Sequence, residues 1–449
     1  MSELQHKDLE SQSFPSSNKD VADLEENENI DNEVNVEDGD SSTPSGTPIK
    51  YGQTTVQKPF LTRLRELLFR ELIEKFVPAY FATILGLGIT AVMCSLFPYP
   101  ANWLQIIGKI VFGTNVLVFL VLTFSCLIGF YYYPSRIVEY HVHPLHSVFM
   151  STYVMGYIVI VNFIRLLVGS HHSMLLWVLW WIAVFMSVYC SLVIYFFGTF
   201  SKLNKPTKLE HMHSVSLLPV VTLAVASSSG HLISMSLPSL NHFVITEVCS
   251  FLLWGICVGM GVSFMPIYLA RIMIHRIPNT ALILTNLLPI GLLGQTSYSL
   301  FLFGVNMYER IPDKVLGTSF LVSCALFATV VCAFGYYMTF VGILSVLSKI
   351  RPFTKKPNPQ FTHPKYGHIM WNKGFWAVNF PLGTMSLAST EIGKGVVGNY
   401  PLKFFTVVAC MYSVTLFLFT IYNVMGVLAY WYDLAVELFN PETEELKTA

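Results

Sequence analysis

The sequence predicts an all-α integral membrane protein in which ten transmembrane helices form five helical hairpins around a central pore. Of its 449 residues, 53% are hydrophobic and only 12% are charged, which is not the composition of a soluble domain. Ten apolar stretches are each long enough to cross the roughly 30 Å hydrocarbon core of a bilayer. Every second loop is basic, and prolines recur in the odd-numbered stretches. The alternating loop charges and the placement of the prolines favour helical hairpins in which the two helices differ in character.

The ten predicted spans follow one another closely along the chain. By residue number they are 76–96, 104–131, 145–168, 174–197, 215–235, 243–273, 281–305, 316–347, 375–392 and 402–430. Together they form a predicted membrane transport domain of residues 76–432.

The residues outside this domain are predicted to lie on the cytosolic side. Residues 1–57 are acidic, rich in Ser and Asn, and without an apolar period, so we expect a disordered tail. Residues 58–75 interleave arginines with leucines, which is typical of an interfacial helix on an anionic leaflet. Residues 433–449 are expected to form a short C-terminal tail.

The charges of the loops predict which side of the membrane each loop faces. Residues 202–208 contain three lysines, whereas residues 238–242 contain no charged side chain. Similar alternation continues along the chain, and basic loops stay in the cytosol. An even number of spans follows, with the N- and C-termini both cytosolic.

The odd-numbered spans differ from the even-numbered ones in their prolines and glycines. A proline removes one backbone donor, and in hydrocarbon the freed groups need partners from neighbouring helices or from water. Helices of this kind are suited to line a transport path through the protein. The alternative is that each is a kinked structural helix buried inside the bundle. The predicted kinks are at Pro78, Pro219, Pro289 and Pro381.

Uncharged polar side chains in the fifth, seventh and ninth spans are the candidates for an anion path. Hydroxyl and amide donors hold a small anion weakly enough for it to leave again. The alternative for each hydroxyl is a hydrogen bond to a neighbouring helix. The candidate pore-lining residues are Ser227, Ser228, Ser229, Gln295, Thr296, Ser297, Thr384 and Ser386.

Four ionisable residues near the predicted outer ends of spans are possible proton or charge sites. They are Arg165, His231, Glu391 and Lys394. Burying such groups in a membrane is expensive, which makes each a functional hypothesis. Snorkelling to the interface is the structural alternative.

Phe380 is the predicted pore gate. It directly precedes Pro381 in the ninth span. A phenyl ring in a narrow path blocks it by contact and by dewetting, and a neighbouring kink allows movement. Since the chain contains 34 phenylalanines, packing is the alternative role for this side chain.

The motifs of several other functional classes are missing from the sequence. It has no Gly-rich phosphate loop, no HExxH motif and no legible Ser/His/Asp set, so we expect neither an enzyme nor a metal site or cofactor. The cysteines lie mostly in apolar stretches without metal-ligand spacing. Basic residues flank the spans instead of interleaving with aromatics, which argues against nucleic acid as a partner.

Four stretches of the chain resemble the tellurite-resistance/dicarboxylate transporter family, and within it the fungal sulfite efflux pumps. They are FPYPANWL (97–104), AVASSSGHLISMS (224–236), LPIGLLGQTSYSLFL (288–302) and NKGFWAVNFPLGTMSL (372–387). Two others, IIGKIVF (106–112) and TEIGK (390–394), are similar to the family's fungal malic acid permeases.

This resemblance implies a protomer of ten helices in pseudo-fivefold arrangement around a central pore, assembled as a homotrimer. It also implies a phenylalanine gate on the ninth helix, which is Phe380 in this sequence. The sulfite pumps export sulfite across the plasma membrane, and that is the predicted function. Two alternatives stay open, a gated anion channel of the same fold and a proton-coupled malate or dicarboxylate permease, for which Glu391 or His231 is the candidate proton site.

Overall fold

The structure, a computed structural model, shows a helical chain. It describes residues 59–200, 209, 212–278, 280–354, 367–395 and 402–439. All regular elements in these ranges are helical. The predicted N-terminal tail, the lysine-rich loop and the end of the predicted C-terminal tail lie outside the described residues, at 1–58, 201–208 and 440–449.

The described residues form twelve α-helices. They are α1 (Phe60–Phe69), α2 (Ala82–Ser95), α3 (Asn102–Tyr132), α4 (Ser135–Val142), α5 (Pro144–Val168), α6 (Ser173–Val188), α7 (Leu218–Ser234), α8 (Leu240–His275), α9 (Leu288–Arg310), α10 (Lys314–Leu347), α11 (Asn379–Gly393) and α12 (Lys403–Phe439).

Other helix types extend several of these elements. Segments of 3-10 helix lead into four α-helices: Pro78–Phe81 into α2, Ser214–Leu217 into α7, Thr280–Leu287 into α9 and Lys373–Val378 into α11. Segments of π-helix follow two others: Arg70–Glu74 after α1, and Tyr189–Ile194 and Phe196–Phe200 after α6.

Nine helices in the described part of the chain, counted with these extensions, are long and apolar enough to cross a membrane. They confirm the prediction of an all-α integral membrane protein. The helix α11, which lies in the predicted span 375–392, is not one of the nine. Its asparagine, threonine, serine and glutamate side chains make it too polar to qualify by composition.

Ten of the helices pack in consecutive pairs: α2 with α3, α5 with α6, α7 with α8, α9 with α10, and α11 with α12. The first member of each pair, which we call an inner helix, is mostly buried, and the second, an outer helix, exposes apolar side chains. For α2 and α3 the buried shares of the most apolar stretch are 78% and 22%. The outer helices therefore present the apolar surface that a bilayer requires.

The inner helices form a closed ring. Helix α2 packs against α5, α5 against α7, α7 against α9 and α9 against α11, and α11 packs against α2 again. At the α9–α11 contact, a Cβ added to Gly294 would lie 2.8 Å from the backbone nitrogen of Met385. Glycine therefore allows these two inner helices to approach closely.

The four prolines mark the beginnings of inner helices. Pro78 opens the 3-10 segment before α2, Pro219 and Pro289 are the second residues of α7 and α9, and Pro381 is the third residue of α11. A first-turn proline costs no intrahelical hydrogen bond. Pro219, Pro289 and Pro381 therefore lie just after 3-10 geometry changes to α geometry, and Pro78 lies at the beginning of a 3-10 segment. None of the four lies in the interior of an α-helix, as a kink requires.

Candidate functional site

A cavity of about 310 Å³ is lined by residues of all five inner helices. We call it the main cavity. Its walls combine aliphatic side chains with a smaller polar set. The lining residues are Ile89, Val92, Leu96, Val159, Asn162, Arg165, Leu166, Val225, Ser228, Leu232, Gln295, Tyr298, Leu302, Val305, Phe380, Leu387, Glu391 and Lys394.

A second and smaller cavity, of about 100 Å³, lies between the N-terminal ends of four inner helices. We call it the minor cavity. Its lining includes Leu145 and Phe149 of α5, Val215 before α7 and Leu288 of α9. It is almost entirely apolar, so it offers no charged group to an anion.

Phe380 lines the main cavity, close in sequence to a residue of the minor cavity. The ring lines the main cavity, whereas Val378, two residues earlier, lines the minor cavity. Phe380 is only 3% exposed. On the facing helix α9, a Cβ added to Gly291 would lie 3.4 Å from Cδ1 of Phe380. The absence of a side chain at Gly291 leaves room beside the ring.

Two of the predicted polar residues also line the main cavity. The Nε2 of Gln295 donates a hydrogen bond to the Oγ of Ser228 across the α7–α9 contact. The Ser228 hydroxyl itself donates to the carbonyl of Val225, at 3.0 Å. This pair supplies polar atoms in the same part of the inner helices as Phe380.

The flanking serines make different contacts. The hydroxyl of Ser227 donates to the carbonyl of Ser250 on α8 at 2.6 Å and is 2.8 Å from the Oγ of Ser299 on α9. The hydroxyl of Ser229 donates to the Oδ1 of Asn162 on α5 at 2.6 Å. Ser227 and Ser229 therefore connect helices and do not themselves line the main cavity.

The four remaining predicted pore-lining residues are outside the lining of the main cavity. Their hydroxyls donate to backbone carbonyls, either on their own helix or on the adjacent outer helix. The bonds are Thr296 to Leu292, Ser297 to Ala328, Thr384 to Pro381 and Ser386 to Ala409. These hydrogen bonds within and between helices are the structural role that was the alternative for such residues.

Three of the predicted charge sites meet in the main cavity. The Nζ of Lys394 lies 2.6 Å from Oε1 of Glu391, so these two charges form an ion pair. Arg165 has no ion-pair or hydrogen-bond partner among the described residues, and its Nε is buried without one. Two cations and one carboxylate leave one net positive charge in the cavity.

His231 is separate from this group. Its Nδ1 lies 2.6 Å from Oε2 of Glu247 on α8, and the side chains are 1% and 2% exposed. Asn306 of α9 donates to Oε1 of the same carboxylate at 2.6 Å, and Ser234 donates to it as well. None of these four residues lines the main cavity. The histidine is thus part of a buried polar network between α7, α8 and α9.

Two polar residues of the main cavity were missed by the sequence patterns. Asn162 lies three residues before Arg165, and Tyr298 lies three residues after Gln295. Residues three apart share a helix face. This spacing from a candidate residue is the signal that could have identified both.

Comparison with known proteins places the chain in a family. The model of the voltage-dependent anion channel family matches residues 75–428. The chain is 42% identical to the sulfite efflux pump of Candida albicans over 82% of this chain and 76% of that pump. It is 31% identical to the sulfite efflux pump of Arthroderma benhamiae, over 78% of this chain and 91% of that pump. Identity to the sulfite efflux pump of Saccharomyces cerevisiae is 26%, over 76% and 84% of the two chains.

These matches confirm the predicted resemblance to fungal sulfite efflux pumps. The family is described as a channel family and the named relatives as efflux pumps, which are transport proteins and not enzymes. The apolar helices agree with this and make it a multi-pass membrane protein. Matched by the family model over most of its length, the chain belongs to the voltage-dependent anion channel family.

Proposed function

We propose that the protein is a sulfite efflux transporter of the plasma membrane. The observation that carries this proposal is the 42% identity to the Candida albicans sulfite efflux pump over most of both chains. The closed ring of inner helices around a cavity that contains a net positive charge supports it. The exported species is a small inorganic anion, sulfite in its singly charged hydrogen form.

The proposed architecture has ten spans, with α11 as the ninth, in a pseudo-fivefold arrangement and with both termini in the cytosol. Under the positive-inside rule the main cavity opens to the outside and the minor cavity to the cytosol. The two cavities are the ends of one path, and the ring of Phe380 closes it between them. The homotrimer implied by the family resemblance stays a prediction.

Export of a singly charged anion is favoured by the membrane potential. An inside-negative potential contributes about 2.3 kcal/mol per charge for each 100 mV. The polar atoms of Ser228 and Gln295, in the same part of the inner helices as Phe380, suit a weakly held anion that must leave again. No bound nucleotide is required for such a mechanism.

A gated anion channel is the second candidate, because the matching family is described as one. Both functions use the same path, and they differ in whether electrical current accompanies opening. A dicarboxylate permease differs from both, because the uptake of malate against an inside-negative potential needs a cotransported proton.

The test is efflux from cells that lack their own sulfite exporter, loaded with sulfite and compared with and without the full chain. Uptake of labelled malate and whole-cell current are measured in the same cells. We expect faster loss of sulfite, no entry of malate and little current. Entry of malate that rises with external acidity would instead establish the permease, and a large sulfite current would establish the channel.

A further inference from the structure

From the donors that face the main cavity we infer that Asn162, Arg165 and Tyr298 form a binding site for one small oxyanion. All three side chains line this cavity, two from α5 and one from α9. The inference rests on the proposed function only in taking an anion as the cargo, and it adds the place where that anion is held.

Arg165 provides the charge of the site. Its guanidinium has no hydrogen-bond or ion-pair partner among the described residues, and its Nε is buried. A buried N–H costs free energy unless another group accepts its hydrogen bond. Glu391 does not do so, because its carboxylate is paired with Lys394 at 2.6 Å. A bound anion would accept hydrogen bonds from the Arg165 guanidinium and balance its charge.

Asn162 and Tyr298 add neutral donors. The Oδ1 of Asn162 is occupied by the hydroxyl of Ser229, at 2.6 Å, which leaves the Nδ2 of Asn162 without a partner in the described part of the chain. The hydroxyl of Tyr298, a residue that is 4% exposed, makes no hydrogen bond to any described residue. An arginine fork with two neutral donors matches the several oxygens of an oxyanion.

The position of Arg165 in the main cavity explains how the protein can bind the anion and still release it. Arg165 lies in the last turn of α5, at the helix ends that the proposed topology places outside, whereas Ser228 and Gln295 lie nearer the middle of α7 and α9. An anion that passes the Phe380 ring meets the uncharged amide of Gln295 first and the guanidinium second. We therefore place this site on the exit side of the gate.

The experiment measures equilibrium binding of radiolabelled sulfite to the full chain, purified into lipid nanodiscs, alongside efflux in cells. In Arg165→Gln we expect sulfite to bind at least about tenfold more weakly, since hydrogen bonds to charged groups are among the strong ones. Arg165→Lys keeps the charge without the planar fork and recovers part of the affinity. Tyr298→Phe, which removes only a hydroxyl, lowers affinity by several-fold.

Arg310→Gln is the matched control, because it removes one positive charge near the same end of the inner helices. The Arg310 guanidinium lies 5.2 Å from the ring centre of Phe243 and does not line the main cavity. We expect sulfite binding to be unchanged in this variant. Equal losses in Arg310→Gln and Arg165→Gln would overturn the inference, since a diffuse field and not a site would then attract the anion.

Two outcomes separate this inference from the proposed function. Normal sulfite efflux with full sulfite binding in both Arg165→Gln and Tyr298→Phe overturns the site and leaves the function in place. A wild-type chain that exports no sulfite, but binds nitrate or malate with the same dependence on Arg165, overturns the function and supports the site. The elution profile of each nanodisc preparation shows whether a variant has folded, and Tyr298→Phe tests the site even if Arg165→Gln has not.

Discussion

The Nδ1 of His231 lies 2.6 Å from the carboxylate of Glu247, and the two side chains connect an inner helix to an outer helix deep inside the protein. Asn306 and Ser234 donate to the other carboxylate oxygen. The carboxylate on α8 is therefore the common acceptor for donors on two other helices, α7 and α9.

Replacing Glu247 with alanine should destabilise the protein severely. The substitution removes the acceptor of the buried His231 ring and one acceptor each of Asn306 and Ser234. Breaking a buried pair in this way costs about 3–5 kcal/mol. Thermal unfolding of the purified protein measures the loss. Glu309→Ala, at an exposed position near the end of α9, is the control and should change stability by less than about 0.5 kcal/mol. Similar melting temperatures for the two variants would contradict a structural role of the pair.

Phe380→Ala should increase the rate of sulfite efflux several-fold. Removing the ring opens the proposed path between the main and minor cavities at Phe380, which is 3% exposed. The control is Phe327→Ala on the outer helix α10, where the ring is 68% exposed. Efflux from sulfite-loaded cells is compared at equal expression. If Phe380→Ala transports at the wild-type rate, the ring is not the gate.

Gly294→Ala should destabilise the ring of inner helices. The added Cβ would lie 2.8 Å from the backbone nitrogen of Met385 and 2.9 Å from the carbonyl carbon of Thr384, and backbone cannot yield as a flexible side chain does. Overpacking of this kind costs about 1–3 kcal/mol. Gly255→Ala is the matched control, because nothing lies within 4 Å of the added atom. Thermal unfolding should separate the two variants, and equal stability would mean that α9 and α11 can move apart freely.

The stability of the protein should fall in acid partly because of Glu71, in the π-helical segment after α1. Burial acts to raise the pKa of this carboxyl, but hydrogen bonds from Lys75 and Tyr430, and the charges of Lys75 and Lys373, outweigh burial and lower the pKa. A carboxyl with a lowered folded-state pKa stabilises the fold above its unfolded pKa of about 4.3. That stabilisation is lost as pH falls through the folded-state pKa.

The check is the melting temperature of the wild type and of Glu71→Gln between neutral pH and about pH 4. We expect the variant to be less stable at neutral pH and to lose less stability in acid than the wild type does. Glu74→Gln, at an exposed neighbouring position, should follow the wild-type curve. Parallel curves for wild type and Glu71→Gln would show that the buried carboxyl does not contribute to the acid dependence.

The pairing of inner and outer helices could be predicted because it depends on local properties of the sequence. Apolar length identifies a span, loop charge indicates its direction, and Pro219, Pro289 and Pro381 mark helices that differ from their neighbours. The 3-10 segments before these prolines were not predicted. A 3-10 helix and an α-helix require similar side chains, and packing around the segment decides between them.

The face that each polar residue occupies could not be predicted from the cluster alone. Consecutive residues of an α-helix point about 100° apart, so Ser227, Ser228 and Ser229 contact three different surroundings. Only Ser228 of these lines the main cavity. Asn162 and Tyr298 carry no charge and adjoin no proline, and the proximity of Tyr298 on α9 to Arg165 on α5 depends on how the inner helices pack.

The 3-10 segment before α11 affects whether this polar helix can cross a bilayer. The fifteen residues of Asn379–Gly393 rise only about 22 Å as α-helix, which is shorter than a hydrocarbon core of about 30 Å. The six residues of Lys373–Val378 in 3-10 geometry rise about 2 Å each and add about 12 Å. In the proposed ten-span topology the stretched beginning lets a helix with few residues reach both interfaces, and it places Phe380 about two fifths of the way along the combined segment.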